Sequence, residues 1–362
     1  MKIGIVTYHR SYNYGALLQA IATRYVLEKC GHDAFYIDYW PDYHRQMYAL
    51  FSVKRMMSLG PHAGLGYLKN VLLTYSTRKK KIGKTIDFIS RYINPYAKSE
   101  NEEFDAVVYG SDQIWRKQRA LKGYNPVYFG QDDFRTKRKI AFSASMGMLP
   151  TTKQDKEKIK ALLGAFDAIS VRESDLQQFL SVMGFCNVAH TLDPTLLLTS
   201  GDWDNVLGIN NEKSDEEYIL FYNFMENSFD VNHVKCFAER HGLKLKIITL
   251  FGASDESGKN VKVTDPKDFV TLIRNSAMVF TSSFHGLAFS IIYGKPVYAA
   301  FMANSGRAAS LLKLLGMDNC LLQPMGQIPA SIPEVDYQVV HSRLAEKRDE
   351  TLDFLKSNVP AS

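Results

Sequence analysis

The chain has 362 residues, a length that suits two domains with separate cores. Hydrophobic residues make up 46% and charged residues 23%, as in ordinary soluble globular proteins. No apolar run approaches the roughly 18–20 residues that a membrane helix needs. The net charge of +6 favours anionic partners such as phosphates, acidic glycolipids or a membrane surface without choosing among them. Cys30, Cys186, Cys236 and Cys320 form no CxxC pair, which argues against a zinc knuckle or a disulfide framework and suits a reducing cytoplasm. Aromatic residues reach 12%, with 20 Tyr and 21 Phe, useful in cores and in sugar-binding clefts.

The N-terminus opens on Lys2-Ile3-Gly4-Ile5-Val6, which reads as a strand rather than a secretory leader. Tyr14 to Lys29 then carries apolar residues at Leu17, Leu18, Ile21, Ala22, Tyr25, Val26 and Leu27, a helix with a broad buried face closed by Gly31. Ala34 to Tyr39 is the next strand. The intervening loop, Tyr8 to Gly15, has one glycine and so lacks the GxGxxG dinucleotide fingerprint. Residues 42–95 mix apolar with basic residues, including Arg78-Lys79-Lys80-Lys81. They read as a helical insertion broken near Gly60-Pro61, whose basic amphipathic face suits an anionic membrane or a lipid-linked molecule.

Phe104 to Tyr109 is a strand running into Gly110-Ser111-Asp112-Gln113. Further strands at Lys139–Ser143, Phe166–Val171 and Val188–Leu192 lead into Ala144-Ser145, Arg172-Glu173-Ser174 and Asp193-Pro194-Thr195. In an open parallel sheet such strand-end clusters line one crevice. A second series follows residues 210–217: strands at Tyr218–Tyr222, Lys244–Thr249, Ala277–Phe280 and Pro296–Ala300, and helices at Val231–His241, Phe269–Asn275, 307–316 and Tyr337–Lys356. The expected fold is α/β: two Rossmann-like domains facing a cleft, residues 1–195 and 196–335. A helical segment in 336–362 would follow.

The loop Thr281-Ser282-Ser283-Phe284-His285-Gly286 joins a strand to a helix, where free N–H groups and the helix dipole attract anions. His285 is the leading candidate for chemistry, because an imidazole changes charge near neutral pH. Ser282 and Ser283 suit N-capping, anion binding or both. Arg172 offers a planar fork for carboxylate or phosphate, or else an ion pair with Glu173 or Asp175. Asp112 reads as a group that orients or deprotonates a hydroxyl, or as a helix N-cap. Asp193, before Pro194, reads most simply as a turn residue. HExxH, P-loop and GxSxG motifs are absent, as is any nucleic-acid-binding signature.

Taken in order, several of these loops resemble the polysaccharide pyruvyl transferase family. They are Asn13-Tyr14-Gly15-Ala16, Gly110-Ser111-Asp112-Gln113-Ile114-Trp115, Ser170-Val171-Arg172-Glu173, Leu192-Asp193-Pro194-Thr195 and Ser282-Ser283-Phe284-His285-Gly286 with Gly294-Lys295-Pro296. The resemblance implies a two-domain fold like that of GT-B glycosyltransferases, with the long C-terminal helix of 336–362 packing back on the first domain, and transfer of the enolpyruvyl group of phosphoenolpyruvate onto two hydroxyls of one sugar, giving a pyruvate ketal and phosphate. It implies no metal and no cofactor beyond that donor. His285 would be the acid or a donor ligand, Arg172 would hold the donor's carboxylate or phosphate, and Asp112 would orient the acceptor. Asn13, Gly15, Ser111, Gln113, Ser282 and Ser283 would line the substrates.

The family often has Arg-x-His where this chain has Ser283-Phe284-His285, so either a cation from elsewhere, with Arg307 the candidate substitute, or backbone N–H groups would hold the anion. The acceptor would be a hexose or amino sugar of a capsule, exopolysaccharide or cell-wall intermediate, carried on undecaprenyl diphosphate at the cytoplasmic face and met through residues 42–95. Two other readings stand beside this one: a GT-B glycosyltransferase using a nucleotide sugar, and a non-catalytic glycan-binding or assembly protein.

Overall fold

The structure, a computed structural model, describes residues 1–48, 51, 57, 60–210, 216–223, 227–249, 252–255, 260–262, 264–302 and 306–360. Leu50, Val53, Lys54, Arg55 and Met56 of the basic apolar segment lie outside the described residues, as do Asn304 and Ser305.

Two parallel-stranded sheets organise the chain. The first contains β1 (Lys2–Val6), β2 (Asp33–Ile37), β3 (Ala97–Lys98), β5 (Ala106–Tyr109), β7 (Lys139–Ala144), β8 (Ala168–Val171) and β9 (Val188–His190). Their order is β3-β2-β1-β5-β7-β8-β9, with every pairing parallel. The second contains β10 (Tyr218–Tyr222), β11 (Lys244–Thr249), β12 (Gly252–Asp255), β13 (Asn260–Lys262), β14 (Met278–Thr281) and β15 (Val297–Ala299), in the order β13-β12-β11-β10-β14-β15. Here β12 and β13 are antiparallel additions to a parallel core.

In each sheet the strand order reverses once, between β1 and β5 and between β10 and β14. Ligands of doubly wound sheets settle beyond the carboxyl ends of strands at such a reversal. These are two Rossmann-like domains, the expected class.

Some elements differ from expectation. The strand expected over Phe104–Tyr109 is divided at Asp105, whose carboxylate accepts the Lys2 N–H at 2.7 Å. Its first part, β4 (Glu103–Phe104), pairs instead with β6 (Arg135–Thr136). The helices Lys153–Leu163, Ser174–Val182 and Ser200–Leu207 were not expected. Lys153–Leu163 buries only Ile159 and Leu163, too sparse an apolar pattern to stand out. The insertion begins with a short helix, Asp42–Met47, and continues as a 33-residue helix, Gly60–Tyr92.

One hydrophobic cluster joins the domains. It runs from Ile5 and Leu17 through Leu196, Leu198 and Trp203 to Leu220, Leu287 and Phe289. Tyr14, at the start of helix Tyr14–Lys29, donates its hydroxyl to Thr264 O at 2.7 Å and packs on Phe269 of the second domain. The last helix, Tyr337–Asn358, touches both domains. The Tyr337 hydroxyl donates to Lys295 O, Arg348 donates to Leu196 O and Leu198 O, and the Thr351 hydroxyl accepts the Leu192 N–H at 3.1 Å. Among the described residues no helix is long and apolar enough to cross a membrane.

Candidate active site

The carboxyl ends of β5, β7, β8 and β9 carry a ladder of buried hydroxyls. The Ser111 hydroxyl donates to Ser143 O at 2.8 Å, that of Ser143 to Leu192 O at 2.7 Å, and that of Thr191 to Ser170 Oγ at 3.0 Å. Each satisfies a strand-end carbonyl or hydroxyl that burial would otherwise leave unpaired. Gly110 permits the sharp exit from β5: its φ is 135°, and a Cβ there would stand 2.0 Å from Phe142 O.

On this ladder stands Arg172, whose side chain is 1% exposed. Its guanidinium donates to Asp193 Oδ2, to Asp112 Oδ1 at 3.1 Å and to Ser111 Oγ at 3.4 Å. Burial opposes its charge, but Asp193 and Asp112 outweigh that and raise its pKa. Burial likewise pushes both carboxyls up, yet the Arg172 guanidinium holds Asp112 and Asp193 below the usual carboxylate range. Arg172 is thus a fixed cation between two fixed anions.

Asp112 does not cap a helix. It sits in a turn at φ 68°, a conformation Asp tolerates, and its carboxylate accepts the Gln113 N–H at 2.8 Å as well as Arg172. Arg172 also approaches Glu173, Nε to Oε1 at 3.9 Å, whereas Asp175 accepts the Leu176 N–H instead. Asp193 does form a turn, accepting from Thr195 N–H and hydroxyl, and it also joins the charge cluster.

The second domain contributes the start of helix Phe284–Ile292. Ser283 occupies its N-cap but gives no side-chain cap; the Ser283 N–H donates instead to Thr281 Oγ1 at 3.0 Å. Ser282 is buried and its N–H donates to Tyr222 O at 3.2 Å. The imidazole of His285 is inside the domain interface. Its Nε2 lies 3.8 Å from Asp193 Oδ2, is buried and makes no hydrogen bond. Burial lowers its pKa ahead of the opposing pull of Asp193 and Asp112, so the resting ring is neutral at neutral pH.

Gly15 explains how the ring fits, since a Cβ there would stand 1.9 Å from His285 Nδ1. The first turn of helix Tyr14–Lys29 is therefore the seat of the imidazole. Asn13 caps that helix, its side chain accepting the Ala16 N–H at 3.2 Å.

Arg307, on helix Gly306–Leu315, reaches the same cluster. Its Nε lies 3.8 Å from Glu173 Oε1 and makes no hydrogen bond among the described residues. Burial, with Arg172 nearby, lowers its pKa to about 10, so it stays charged at neutral pH. Arg172 and Arg307 both approach the ring of Phe284, at 5.4 and 5.2 Å from its centroid. Burial raises the pKa of Glu173 against the pull of both arginines. Behind them a cavity of about 20 Å³, lined by His190, Leu192 and Leu311 as well, has room for about one water.

His285, Arg172, Asp112, Ser111 and Arg307 therefore converge, with Gly15 and the Ser282-Ser283 turn at the edges. Gln113 is adjacent, its Nε2 buried and without a hydrogen bond, and Asn13 serves the helix start. Reading the chain passed over Asp193 and Glu173 as site residues. The signal was available: each stands just past an apolar strand, as Arg172 and Asp112 do.

A model of the polysaccharide pyruvyl transferase family matches residues 13–301. A comparison with the curated proteins finds no match. Among solved structures, the chain is similar to the E. coli heptosyltransferase WaaC with ADP, at 10% identity and a TM-score of 0.43, over 96% of this chain and 100% of that one. It is also similar to Arabidopsis thaliana UGT89C1 complexed with UDP, at 9% identity and a TM-score of 0.44, over 99% of this chain and 94% of that one.

Proposed function

The chain belongs to the polysaccharide pyruvyl transferase family, and from that premise we propose that it moves the enolpyruvyl group of phosphoenolpyruvate onto two hydroxyls of one sugar as a ketal. The observation that carries the proposal is the pairing, at one interface, of a neutral buried imidazole with an arginine whose Nε is unbonded. His285 and Arg307 stand there beside a helix start with no side-chain cap.

The donor carries a carboxylate and a phosphate. Arg307 and the N–H groups at the start of helix Phe284–Ile292 suit these anions. Arg172, with Asp112 and Asp193 already on its fork, acts chiefly by fixing those two carboxylates.

Bringing several negative charges beside His285 raises its pKa, so the ring takes up a proton as the donor binds. It then delivers that proton to the CH2 carbon of the enol, leaving the neighbouring carbon electrophilic. One sugar hydroxyl, oriented by Asp112, adds to that carbon and returns a proton to His285. The second hydroxyl then displaces phosphate, which leaves with the second hydroxyl's proton. Two O–H bonds, the C=C π bond and one C–O bond to phosphate are lost. One C–H bond, two ketal C–O bonds and the O–H bond of the phosphate are gained.

The same proposal places the reaction in capsule, exopolysaccharide or cell-wall synthesis at the cytoplasmic face, on an acceptor carried by undecaprenyl diphosphate. Helix Gly60–Tyr92 supports this, exposing Leu65, Leu72 and Leu73 among Lys69, Lys79 and Lys80. Sedimentation with phosphatidylglycerol vesicles, lost in a Leu72→Ser/Leu73→Ser variant, is the expected outcome; equal sedimentation of both proteins overturns the membrane contact.

The reaction itself is tested by incubating the protein with phosphoenolpyruvate and a glycoside panel, then measuring phosphate release and product mass. Phosphoenolpyruvate is expected to raise Tm, because it binds the native state. Stabilisation by a nucleoside diphosphate instead, with no phosphate released, points to glycosyl transfer.

A further inference from the structure

Near Asp112, the loop after β1 and the short helix Asp42–Met47 with the residue that follows it bring four aromatic rings together. The Tyr8 and His44 centroids are 4.5 Å apart, Tyr12 and Tyr48 are 4.8 Å apart, and His44 lies 6.3 Å from Tyr48. Asp112 is close enough to act electrostatically on Tyr8, His44 and Tyr48. It is therefore within electrostatic reach of these rings as well as bonded to Arg172.

Most polar tips in the recess are already committed. The Tyr8 hydroxyl donates to Gln113 O at 3.0 Å, and those of Tyr48 and Ser11 share a hydrogen bond of 2.5 Å. His44 differs. The residue is 6% exposed, its ring packs beside those of Tyr8, Tyr43 and Tyr48, and among the described residues its imidazole makes no hydrogen bond. Burial lowers its pKa to about 4 against the pull of Asp112, so at neutral pH it holds one unspent donor and one unspent acceptor. Tyr12 and Tyr48 form a half-buried rim.

A pyranose ring has an apolar C–H face and a rim of hydroxyls. Aromatic rings with one neutral imidazole and one carboxylate beside them match both surfaces. We infer that this recess binds the acceptor's pyranose ring, with Tyr12 and Tyr48 against its C–H face. His44 and Asp112 would take its hydroxyls and turn the reacting pair toward His285. The inference rests on the pyruvyl-transfer reading for its reaction but not for its binding.

Saturation-transfer NMR on the full chain tests it, with methyl β-galactopyranoside, methyl α-mannopyranoside and methyl β-N-acetylglucosaminide as probes. At least one is expected to bind the wild type. His44→Ala and Tyr12→Leu are each expected to weaken that binding about tenfold or more, corresponding to about 1.4 kcal/mol. Stabilisation by phosphoenolpyruvate should remain at wild-type level in both. The inference is overturned if no probe binds, if the variants bind like wild type, or if they lose stabilisation by phosphoenolpyruvate to the same degree. Should His44→Ala not fold, Tyr12→Leu on the half-buried rim decides the matter. Probe binding without phosphoenolpyruvate-dependent phosphate release upholds the recess and sinks pyruvyl transfer.

Discussion

Arg172 and Arg307 flank the same phenylalanine yet live in different electrostatic worlds. Arg172 spends its fork on Asp112, Asp193 and Ser111, and its side chain is 1% exposed. Among the described residues the Nε of each is without a hydrogen bond, but Arg307 has only one carboxylate nearby, at 3.8 Å, and a side chain that is 13% exposed. A buried cation held by two anions organises a site, whereas one with spare donors can receive a ligand. Having two arginines in a pocket is therefore not having two ligand clamps. The division of labour is read from what each already holds.

Substitutions can break this contrast. The largest effect is expected from Arg172→Ala, which leaves Asp112 and Asp193 buried and uncompensated. Removing one partner of such a cluster costs about 3–5 kcal/mol, seen as a lower denaturant midpoint, and turnover should vanish with it. Wild-type stability in this variant removes Arg172 from its organising role.

Gly15→Ala comes next, because the new Cβ must displace the imidazole. Overpacking of this kind costs about 1–3 kcal/mol, and turnover should fall further than that loss of stability explains. Turnover like wild type would show that the ring's seat is immaterial.

Arg307→Ala should sharpen the contrast from the other side. A hydrogen bond to a charged group contributes about 1.5–3 kcal/mol, so affinity for phosphoenolpyruvate should fall about 10- to 100-fold in a titration followed by Tm. Its stability without ligand should change far less than that of Arg172→Ala. Unchanged affinity rules out Arg307 as the substitute for the arginine missing at Ser283.

The smallest effect concerns pH. His44 has a folded pKa of about 4, below its ordinary 6.5, so the unfolded chain binds more protons between those values. The stability it contributes is full above pH 6.5 and is lost as pH falls toward 4. His44→Gln should narrow the difference in Tm between pH 7 and pH 4.5 measured for wild type. An identical pH dependence in the two proteins contradicts the neutral buried imidazole.

How much of this was legible beforehand depended on range. Helix Tyr14–Lys29 and strands Tyr218–Tyr222 and Lys244–Thr249 were bounded correctly, because their apolar periods are local and dense. The β12–β13 hairpin and helix Lys153–Leu163 were missed, since polar sequences there show little periodicity. At the site, His285 and Arg172 were visible from their places after strands. Asp193 looked like a turn residue and is one. Its second role exists only because β8 and β9 are neighbours and a helix of the other domain closes over them, which no local pattern records. Gly15 was marked through a motif, but its reason is an imidazole 270 residues along the chain.

The C-terminal helix has a consequence for how the enzyme comes into being. The backbone just before Asp193 is tied to Thr351, and the turn after it to Arg348. Every residue of the charge cluster is synthesised before either anchor exists. A nascent chain or a truncation ending near residue 335 would carry all the chemical groups without the clamp that sets their spacing. Competence thus waits for helix Tyr337–Asn358, and a chain cut short before it by proteolysis or an early stop is expected to be inert while keeping every group of the site.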